Sequence, residues 1–590
     1  MSGPAQVPAQ VRDKVLVIGD DTRSFLATVR SLGRQGLEVH VAPFDFRAPA
    51  LSSRYIHATH FLPYYLDGGQ AWRDAMEALL REHHFALVIP CDERGLLPLC
   101  LHRDTLSALT ALAIPSPEAL DIYFDKVRTR ELAQACDVPV AGGRLLAPDD
   151  DVERIVADIG LPVVIKEPMS YALPELYVRT STRIVSERAA LAAWLERHDH
   201  ASGPILLEQM FPGFGAGVSV LCHEGEVLQA FEHHRAHELN GSGYYRKSAP
   251  LDAGRVAAVE RMVRASRYTG LAMFEFKIDP AGGGWILIEV NARPWGSLPL
   301  PVSIGVDFPY RLYQLLARGE KTAPVDYPAG RYCRNLVPDM WQARSAAAAL
   351  VRQPARLAAH CAGWAWSFHR VLLRRECHDT LVLDDPRPGL RELRALCAGR
   401  FGARKRAGSG ANGTALPQQL AELVAGAGGR PLDVMFVCQG NINRSSYAEL
   451  KARQLFDARQ LRFSSAGMLP RNQRGSPAVA IGAAAHHGVT MSAHRSRHAS
   501  AELLENADLV IVFDQINLDA IAARYPQLRQ RIHLLGEAGP APDGDCEIRD
   551  PEGRDETTFL STYRRIDDCL ATLAQALPAP DPLLQQSTTC

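Results

Sequence analysis

A cysteine and an arginine separated by five residues form the most reactive pattern in this sequence. Cys438 follows the apolar run Val434–Val437, and a short polar loop leads from it to Arg444 and to a helical pattern that begins at Ser446. A loop of this length can wrap its backbone N–H groups around an anion, while the dipole of the following helix adds to the attraction. The same field stabilises a cysteine thiolate, which is the form that attacks phosphorus. The spacing therefore predicts a phosphate-binding loop with Cys438 as nucleophile and Arg444 bound to two phosphoryl oxygens.

This loop and four later segments, in the same order, resemble the low-molecular-weight protein tyrosine phosphatases. The similarity covers about Leu432–Leu577. The later segments are Phe463–Gly467, Ser492–His498, Ala507–Asp514 and Arg549–Pro551. The resemblance implies that Asp550 protonates the leaving oxygen and then activates water against the phosphocysteine. The residues to which it assigns support of the phosphate loop are Gly440, Asn441, Ser445 and His494.

Several positions depart from the pattern of that family or bear on the substrate. Asn443 stands where the family often has a second cysteine, so a protective disulfide with Cys438 is excluded. Glu552 and Gly553 follow the Asp-Pro pair where aromatic residues are common, which leaves the wall for a phosphotyrosine ring thin. Ile442 is the loop residue expected of members that act on phosphotyrosine. The substrate stays open between phosphotyrosine, another phosphoprotein and a metabolite, and a fold that binds phosphate without turnover is the other interpretation.

A second group of candidate site residues lies on two strands predicted at Ala272–Asp279 and Trp285–Asn291. The short turn between these strands predicts a hairpin. Glu289 and Asn291 are two residues apart, so they share one face of their strand, and Glu275 on the partner strand can lie beside them. Oxygen ligands of this kind suit Mg²⁺, with Mn²⁺ as an alternative, held in part by nucleotide phosphates.

The sequence Glu-x-Asn-x-Arg that ends at Arg293 resembles the signature of ATP-grasp enzymes. The similarity covers about Lys14–Leu316 and includes a Rossmann-like domain before the ATP-grasp domain. It implies that ATP converts a carboxylate to an acyl phosphate, which an amine or another nucleophile then attacks, with Arg293 beside the transferred phosphoryl group. It also implies that adenine contacts backbone groups near Met210. The residues that it assigns to ATP are Lys126, Lys166, Glu208 and Met210.

Two further tracts each allow two interpretations. His233–Lys247 is rich in His, Arg, Tyr and Gly. It is either a substrate loop, with Arg235 or Arg246 on a carboxylate, or a solvated loop. Met340–Phe368 contains three tryptophans, and an aromatic core between helices is favoured over a lid on a substrate channel.

The elements that carry these residues indicate an α/β and α+β multidomain protein, because 590 residues are too many for one core. Up to about residue 115, apolar strands alternate with helices, which predicts a parallel sheet. The predicted strands there are Lys14–Gly19, Glu38–Ala42 and Phe85–Pro90. With the two resemblances, the predicted order is a Rossmann-like domain (1–115), an ATP-grasp domain (116–320), a helical connector (321–399), a linker with a helix (400–431), a flavodoxin-like parallel α/β phosphatase domain (432–580) and a disordered tail (581–590).

Composition limits the partners. The net charge is −1 with 22% charged residues, so there is no electrostatic reason to expect nucleic acid or an anionic membrane. Met1–Arg12 has no apolar core of a secretion signal, and the 12 cysteines show no metal-binding spacing, which favours reduced thiols and a cytoplasmic location. The expected partners are a small carboxylate and an amine, and a phosphorylated protein or small phosphoester. A homodimer is compatible with the sequence.

We therefore predict a bifunctional enzyme that combines an ATP-dependent carboxylate–amine ligase with a cysteine-dependent phosphatase. The alternative is a regulatory phosphoprotein phosphatase whose ATP-grasp half only binds nucleotide. The residues on which the first prediction depends most are Cys438, Arg444, Asp550 and Glu289.

Overall fold

The computed structural model describes residues 13–45, 48–65, 67–171, 176, 182–196, 198, 203–239, 241–351, 353–401, 416–539 and 546–577. The chain divides into two compact units, Met1–Leu396 and Cys397–Cys590. The predicted tail at 581–590 and residues 402–415 of the predicted linker lie outside the described residues. No helix within these ranges is long and apolar enough to cross a lipid bilayer.

Five parallel strands form the first sheet of the N-terminal unit. In chain order they are β1 (Lys14–Ile18), β2 (Glu38–Ala42), β3 (Ile56–Thr59), β4 (Leu87–Pro90) and β5 (Ala111–Leu112). The helices of this region are α1 (Ser24–Arg34), α2 (Gln70–His83), α3 (Glu93–Leu101), α4 (Arg103–Ser107) and α5 (Pro117–Tyr123). The sheet order is β3-β2-β1-β4-β5, so the direction of strand addition reverses between β1 and β4. A strand covered on both faces is apolar along its length, and β1 is buried in this way.

Two mostly antiparallel sheets follow in the same unit, with one parallel pair at the edge of the larger. Their first nine strands are β6 (Gly143–Leu145), β7 (Val163–Lys166), β8 (Arg183–Val185), β9 (Leu206–Gln209), β10 (Phe214–His223), β11 (Glu226–Leu239), β12 (Ser242–Ala249), β13 (Gly270–Ile278) and β14 (Trp285–Asn291). The accompanying helices are α6 (Lys126–Ala135), α7 (Val152–Asp158), α8 (Arg188–Leu195), α9 (Ala253–Ala265), α10 (Pro299–Ser303) and α11 (Phe308–Arg318). The smaller sheet has the order β6-β9-β7-β8, and the larger begins β14-β13-β10-β11-β12. This is the α+β arrangement expected around the residues that are predicted to bind nucleotide and metal.

The helix-rich segment after residue 320 completes the larger sheet. It contains β15 (Tyr332–Arg334), α12 (Leu336–Ala349), α13 (Pro354–Ser367), α14 (His369–Leu372), β16 (Glu376–His378) and α15 (Arg387–Phe401). β15 pairs with β12, and β16 pairs with β15, so the larger sheet has seven strands. Buried Arg334 on β15 donates to Glu376 on β16 at 2.6 Å. The predicted helical connector thus contributes two strands to this sheet.

Two buried arginines join the end of that segment to earlier elements. Arg30 on α1 binds Asp385 at 2.9 Å, and neither side chain is more than 4% exposed. Arg246 on β12 forms an ion pair with Asp379, and this pair is buried to the same degree. Because a buried charge that loses its partner destabilises a protein strongly, these contacts make residues 379–385 an integral part of the N-terminal unit.

The tract His233–Lys247, expected as a loop, forms paired strands instead. Most of it lies in β11 and β12, which pair antiparallel. Its arginines are compatible with a sheet because acidic residues elsewhere in the chain pair with them: Arg235 donates to Glu275, and Arg246 donates to Asp379. The expectation of a loop that offers Arg235 or Arg246 to a substrate carboxylate is therefore wrong.

The aromatic core expected at Met340–Phe368 is also wrong. Trp341 on α12 is 56% exposed, and Trp366 on α13 is 72% exposed. Trp364 is half-buried, and its Nε1 donates to Asp339 at 2.8 Å. Both helices are rich in alanine, so they bury too little apolar surface between them to enclose the larger rings.

Four parallel strands form the sheet of the C-terminal unit. They are β17 (Leu432–Cys438), β18 (Leu461–Gly467), β19 (Leu509–Val512) and β20 (Ile532–Leu534). The helices are α16 (Leu416–Gly426), α17 (Arg444–Leu455), α18 (Ala478–His486), α19 (Ala501–Glu505), α20 (Gln515–Arg524) and α21 (Glu556–Ala576). The order β18-β17-β19-β20 is that of a parallel α/β sheet, as expected. Tyr447 on α17 stacks on Tyr563 of α21 with ring centroids 3.9 Å apart, which fixes α17 against the core.

Candidate active sites

Cys438 lies at the carboxyl end of β17, where the chain enters a loop that ends at Arg444, the first residue of α17. After Gly440, Asn441 adopts a left-handed φ of 53°, which asparagine tolerates better than most residues. The backbone N–H of Asn441 donates to Cys438 Sγ at 3.3 Å, and Ser445 Oγ lies 3.0 Å from the same sulfur. The loop therefore turns backbone and hydroxyl groups toward Cys438, as the spacing predicts for an anion site.

The side chain of Asn441 holds the loop in this shape. Its Nδ2 donates to Ser445 Oγ at 3.0 Å and to Ser465 Oγ at 2.8 Å. Its Oδ1 accepts from the backbone N–H of Arg497 at 2.9 Å. His494 Nε2 lies 2.7 Å from the carbonyl oxygen of Asn441. Because Asn441 is fully buried, these contacts fix the one strained residue of the loop.

Arg444 is buried beneath the loop and holds two acidic residues. Its Nη1 donates to Asp514 at 2.7 Å, and its Nη2 donates to Asp550 at 2.7 Å. Burial by itself lowers the pKa of Arg444, but Cys438, Asp550 and Asp514 outweigh burial and raise the pKa above its ordinary value. The guanidinium is thus permanently charged at the end of the loop that begins at Cys438.

Asp550 lies beside the loop with its side chain 33% exposed. Asn443 Nδ2 donates to Asp550 at 3.4 Å and, more closely, to Glu552 at 2.7 Å. The residue at the position of the family's second cysteine thus ties the phosphate loop to the Asp-Pro segment. A nucleophile, a cation and a carboxylate accessible to solvent converge in this arrangement, which is what phosphoryl transfer to a thiolate requires.

In the N-terminal unit, three oxygen-bearing side chains meet on the hairpin of β13 and β14. Glu275 lies opposite Glu289, and Asn291 Nδ2 donates to each carboxylate at 3.2 Å. Arg235 on β11 forms an ion pair with Glu275. Burial raises the pKa of Glu275, and Glu289 adds to the rise although Arg235 opposes it. Two carboxylates and an amide oxygen on adjacent strands fit the Mg²⁺ or Mn²⁺ ion that the ATP-grasp resemblance implies.

Arg293, just beyond β14, connects this hairpin with the first sheet. Its Nη2 donates at 2.9 Å to Glu93, the first residue of α3. Burial alone lowers the pKa of Arg293, but Glu93 outweighs burial and raises the pKa. Asp92 caps the same helix, and burial raises the pKa of Asp92 to about 6. A fixed cation therefore lies where α3 faces the end of β14.

Three of the four residues assigned to ATP, Lys126, Lys166 and Glu208, line one cleft together with Arg293 and residues of β14. Lys166 on β7 forms a 2.6 Å ion pair with Glu208 on β9, and Arg130 on α6 binds the other oxygen of Glu208 at 2.9 Å. Lys126, which begins α6, donates to the carbonyl oxygen of Glu167 at 3.0 Å. The predicted residues that line the cleft are Lys126, Lys166, Glu208, Glu289, Asn291 and Arg293.

Met210 is not brought into this cleft. It follows β9, its side chain is 42% exposed, and it is not among the described residues that line the cleft. The adenine contact assigned to backbone groups near Met210 stays a prediction.

Several residues at the two sites received no role from the sequence. They are Ser465, Arg497 and Asp514 in the C-terminal unit, and Glu93 and Arg130 in the N-terminal unit. Asp514 ends the Ala507–Asp514 segment, so its place at a strand end was a usable signal. The others come from elements far away in the chain, and their contacts exist only in the folded protein.

Comparison with known proteins divides along the same two units. Residues 433–581 match the family model of the low molecular weight phosphotyrosine protein phosphatases. The low molecular weight protein-tyrosine-phosphatase Wzb of Escherichia coli K12 is 30% identical over 147 residues, which are 25% of this chain and 96% of Wzb.

Two further similarities involve proteins of other kinds. A protein assigned as a urea carboxylase in Emericella nidulans is 27% identical over 205 residues, which are 32% of this chain and 16% of that protein. The ADP complex of N5-carboxyaminoimidazole synthetase from Staphylococcus aureus aligns with a TM-score of 0.43 and 13% identity, covering 54% of this chain and 81% of the synthetase.

Proposed function

Because this chain belongs, through residues 433–581, to the low molecular weight phosphotyrosine protein phosphatase family, we propose that its C-terminal unit hydrolyses phosphomonoesters through a phosphocysteine. The observation that carries this proposal is that Cys438 and Arg444 bound one loop and that Arg444 also binds Asp550 beside that loop. The hydroxyl of Ser445 supports the same conclusion, since a thiolate at Cys438 could accept its hydrogen bond at 3.0 Å.

The reaction proceeds in two steps on this geometry. The thiolate of Cys438 forms a sulfur–phosphorus bond as the bond between phosphorus and the ester oxygen breaks, and Asp550 gives its proton to that oxygen. Water then attacks the phosphocysteine while Asp550 takes up one of its protons, and the sulfur–phosphorus bond breaks to release inorganic phosphate. Arg444 binds two phosphoryl oxygens in both steps, which requires it to exchange at least one carboxylate partner for the substrate.

The substrate is a phosphorylated protein or a small phosphoester, with phosphotyrosine as the first choice. Buried Ile442 lies in the loop as in members that act on phosphotyrosine. Glu552, bound to Asn443, brings a carboxylate close to Asp550. Its negative charge disfavours strongly acidic sequences around the phosphorylated residue.

The test is release of phosphate from p-nitrophenyl phosphate by the full chain and by Cys438→Ser. We expect turnover to fall to background in this variant, because serine at that position lacks a thiolate. Cys361→Ser is the matched control, since Cys361 is an exposed free cysteine of the N-terminal unit and its loss should leave the rate unchanged. A folded wild type that binds phosphate without turnover would contradict the proposal.

We further propose that the N-terminal unit joins a carboxylate to an amine or a similar nucleophile at the expense of ATP. The support is a single cleft lined by Lys126, Lys166, Glu289, Asn291 and Arg293. Glu275 is not among its lining residues, but it accepts a hydrogen bond from Asn291. Mg²⁺ or Mn²⁺ held by Glu289, Asn291 and Glu275 would neutralise phosphate charge. Lys166 and Lys126 would bind nucleotide phosphates, and Arg293 would bind the transferred phosphoryl group at the far end of the cleft.

The experiment that tests this second activity is ADP release in the presence of pooled carboxylates and amines. Glu289→Ala should abolish release that depends on both compounds, while phosphatase turnover stays at the wild-type rate. Cys438→Ser should do the reverse. If nucleotide binds but no pool stimulates ADP release, the regulatory alternative gains support. If either substitution removes both activities from a folded protein, two independent sites are excluded.

A further inference from the structure

Four histidines and a glutamate gather at the edge of the first parallel sheet formed by β2 and β3. This group, called the imidazole cluster below, consists of His40, His57, His60 and His83 together with Glu38. The proposed ligase and phosphatase reactions use none of them. Clustered imidazoles call for a physical explanation, because histidine is the commonest metal ligand and rarely occurs in such groups for packing alone.

His40 is the centre of the cluster. It is 3% exposed, its Nδ1 lies 2.7 Å from His60 Nε2, and its Nε2 lies 3.0 Å from Glu38 Oε1. His83 completes a triangle, with ring centroids 5.1 Å from His40 and 4.7 Å from His60. One ligand atom from each of these three histidines lies within 4.8 Å of the others. The two nitrogens of His40 therefore face different groups: imidazoles at Nδ1 and a carboxylate at Nε2.

Regular elements fix the three rings. His40 lies within β2, and His83 is the last residue of α2. His60 follows β3 and donates its backbone N–H to Val41 on β2 at 2.8 Å. A shift of register between β2 and β3 inserts His57 as an extra residue, and such bulges often re-aim a side chain next to a functional site. The carbonyl end of α2 adds a partial negative charge beside His83, which favours a cation there.

Burial disfavours the protonated form of two of these rings, His40 and His60. Burial lowers the pKa of His60 to about 4, and His40 and His83 contribute to the lowering. Burial also lowers the pKa of His40, although Glu38 opposes it. The hydrogen bond with His40 lowers the pKa of Glu38.

We propose that His40, His60 and His83 bind a divalent transition-metal ion of the Zn²⁺ type. Glu38 is then a positioning residue: it accepts from His40 Nε2, so that Nδ1 is free for the metal, as carboxylates do behind metal-bound histidines. Imidazole nitrogens select Zn²⁺ and its neighbours over Mg²⁺. The side chain of His83 is 21% exposed, so the fourth coordination position faces solvent and takes water or a small anion.

The geometry requires only a small adjustment on binding. Zn²⁺–N bonds of about 2.0–2.1 Å place two tetrahedral ligands roughly 3.3 Å apart. The nitrogens of His40 and His60 are 2.7 Å apart, so they must separate by about 0.6 Å. A change of this size is within the reach of side-chain rotation.

The test is Zn²⁺ binding to the full chain, measured by titration calorimetry and by metal content after removal of excess ion. A Cys438→Ser background and excess Mg²⁺ prevent binding at the thiolate and at the carboxylate pair. We expect one Zn²⁺ per chain, at least tenfold weaker binding in His60→Gln and in His83→Gln, and about 10–100-fold weaker binding in Glu38→Gln. His486→Gln is the matched control, since its 66% exposed imidazole lies in the C-terminal unit, and it should bind like the background protein.

A spectroscopic measurement on the background protein covers the case in which a variant does not fold. Co²⁺ in place of Zn²⁺ should show the intense visible absorption of a four-coordinate site with nitrogen ligands. Absence of stoichiometric Zn²⁺ binding, or binding that folded His60→Gln and His83→Gln leave unchanged, would overturn the proposal. The cluster would then be a hydrogen-bonded network of neutral imidazoles without metal.

Discussion

Arg444 shows how single residues prepare the phosphatase site before any substrate arrives. Its guanidinium is 1% exposed and is held by Asp514 on one side and Asp550 on the other. An unpaired buried cation is strongly destabilising, so the two carboxylates stabilise the loop. A phosphoryl group can replace this pairing because it offers more negative charge in a bidentate geometry.

Asp550→Asn separates the general-acid role from this structural one. We expect kcat on a phosphotyrosine peptide to fall by about 10²–10⁴, because the tyrosine oxygen needs a proton as it leaves. The fall on p-nitrophenyl phosphate should be much smaller, since p-nitrophenolate leaves more readily without one. Steady-state rates on both substrates measure the difference.

Glu552→Gln is the control for this prediction, because Glu552 contacts Asn443 and lies two residues from Asp550. It should change both rates equally and by less than tenfold. Equal losses on the two substrates in Asp550→Asn would mean that Asp550 acts only as a partner of Arg444.

Glu275 leads to a prediction about pH. Its folded-state pKa is raised, chiefly by burial and further by Glu289, while a metal ion binds only the ionised carboxylate. Mg²⁺ affinity should therefore be full at neutral pH and should decline, as pH falls, earlier than it would for an ordinary carboxylate. Calorimetric titration of Mg²⁺ with ADP between neutral and mildly acidic pH measures this. Glu275→Gln should bind more weakly and lose most of the pH dependence; an unchanged profile would contradict the assignment.

At the scale of elements, both sites are built where strands end or pair. β17 delivers Cys438 to the top of a parallel sheet, and the neighbouring β18 ends at Gly467, directly opposite Cys438 in register. A Cβ at Gly467 would lie 2.9 Å from Asn441 N and Gly440 C. The end of β18 thus supports the phosphate loop by close backbone packing, which only glycine permits.

Gly467→Ala should displace the loop while leaving the sheet intact. Overpacking of this kind destabilises by about 1–3 kcal/mol, and we expect a loss in kcat/KM of at least about tenfold, equivalent to about 1.4 kcal/mol. Gly482→Ala in α18 is the control, because no neighbour lies within 4 Å of its added Cβ and alanine favours a helix. Urea unfolding and p-nitrophenyl phosphate kinetics measure both effects. Unchanged kinetics in Gly467→Ala would show that β18 does not shape the loop.

The strands that carry the site residues could be predicted because their patterns are local. The predicted strands Glu38–Ala42 and Trp285–Asn291 coincide with β2 and β14, since apolar runs and alternation need no knowledge of partners. The His233–Lys247 tract could not be predicted in this way. Its arginines are accommodated in strands by acids from other parts of the fold, such as Asp379, which lies 133 residues from Arg246.

The candidate sites divide in the same way into residues that local sequence patterns indicate and residues that only the fold brings together. Motif residues such as Cys438 and Asn291 each have other residues of their own site nearby in the sequence, so the spacing within the motif indicates them. Glu93 is 200 residues from Arg293, and Asp514 is 70 residues from Arg444. Asp514 could be suspected from its place at a strand end, but nothing in local composition distinguishes Glu93 from an ordinary surface carboxylate, because only packing brings it to its partner.

At the scale of the whole molecule, the N-terminal unit is held together by buried charge across long chain distances. Arg30 on α1 reaches Asp385, and Arg246 on β12 reaches Asp379. These ion pairs connect the first sheet and the larger antiparallel sheet to the segment that follows β16. The unit therefore folds as one body, because residues late in the sequence provide the carboxylate partners of arginines earlier in it.

Asp379→Ala should destabilise the N-terminal unit by about 3–5 kcal/mol, because it leaves the Arg246 guanidinium buried without its carboxylate partner. Asp121→Ala is the matched control: its 3.1 Å pair with Arg128 is exposed on both sides, so it should change stability by about 0–1 kcal/mol. Denaturant unfolding monitored by tryptophan fluorescence compares the two. Similar effects of both substitutions would show that Asp379 is not structurally required.

The contacts of Asp379 and Asp385 also determine which piece of this chain could be transplanted. A gene fragment that stops near residue 320, where the sequence pattern suggests a domain border, would encode a protein with two orphaned guanidinium groups in its interior and an unfinished sheet. A fragment through Leu396 carries every partner that those arginines need. Recombination that shuffles this unit among proteins is therefore expected to cut after α15 begins. Expression libraries of random truncations should yield few soluble products that end between residue 320 and the start of α15.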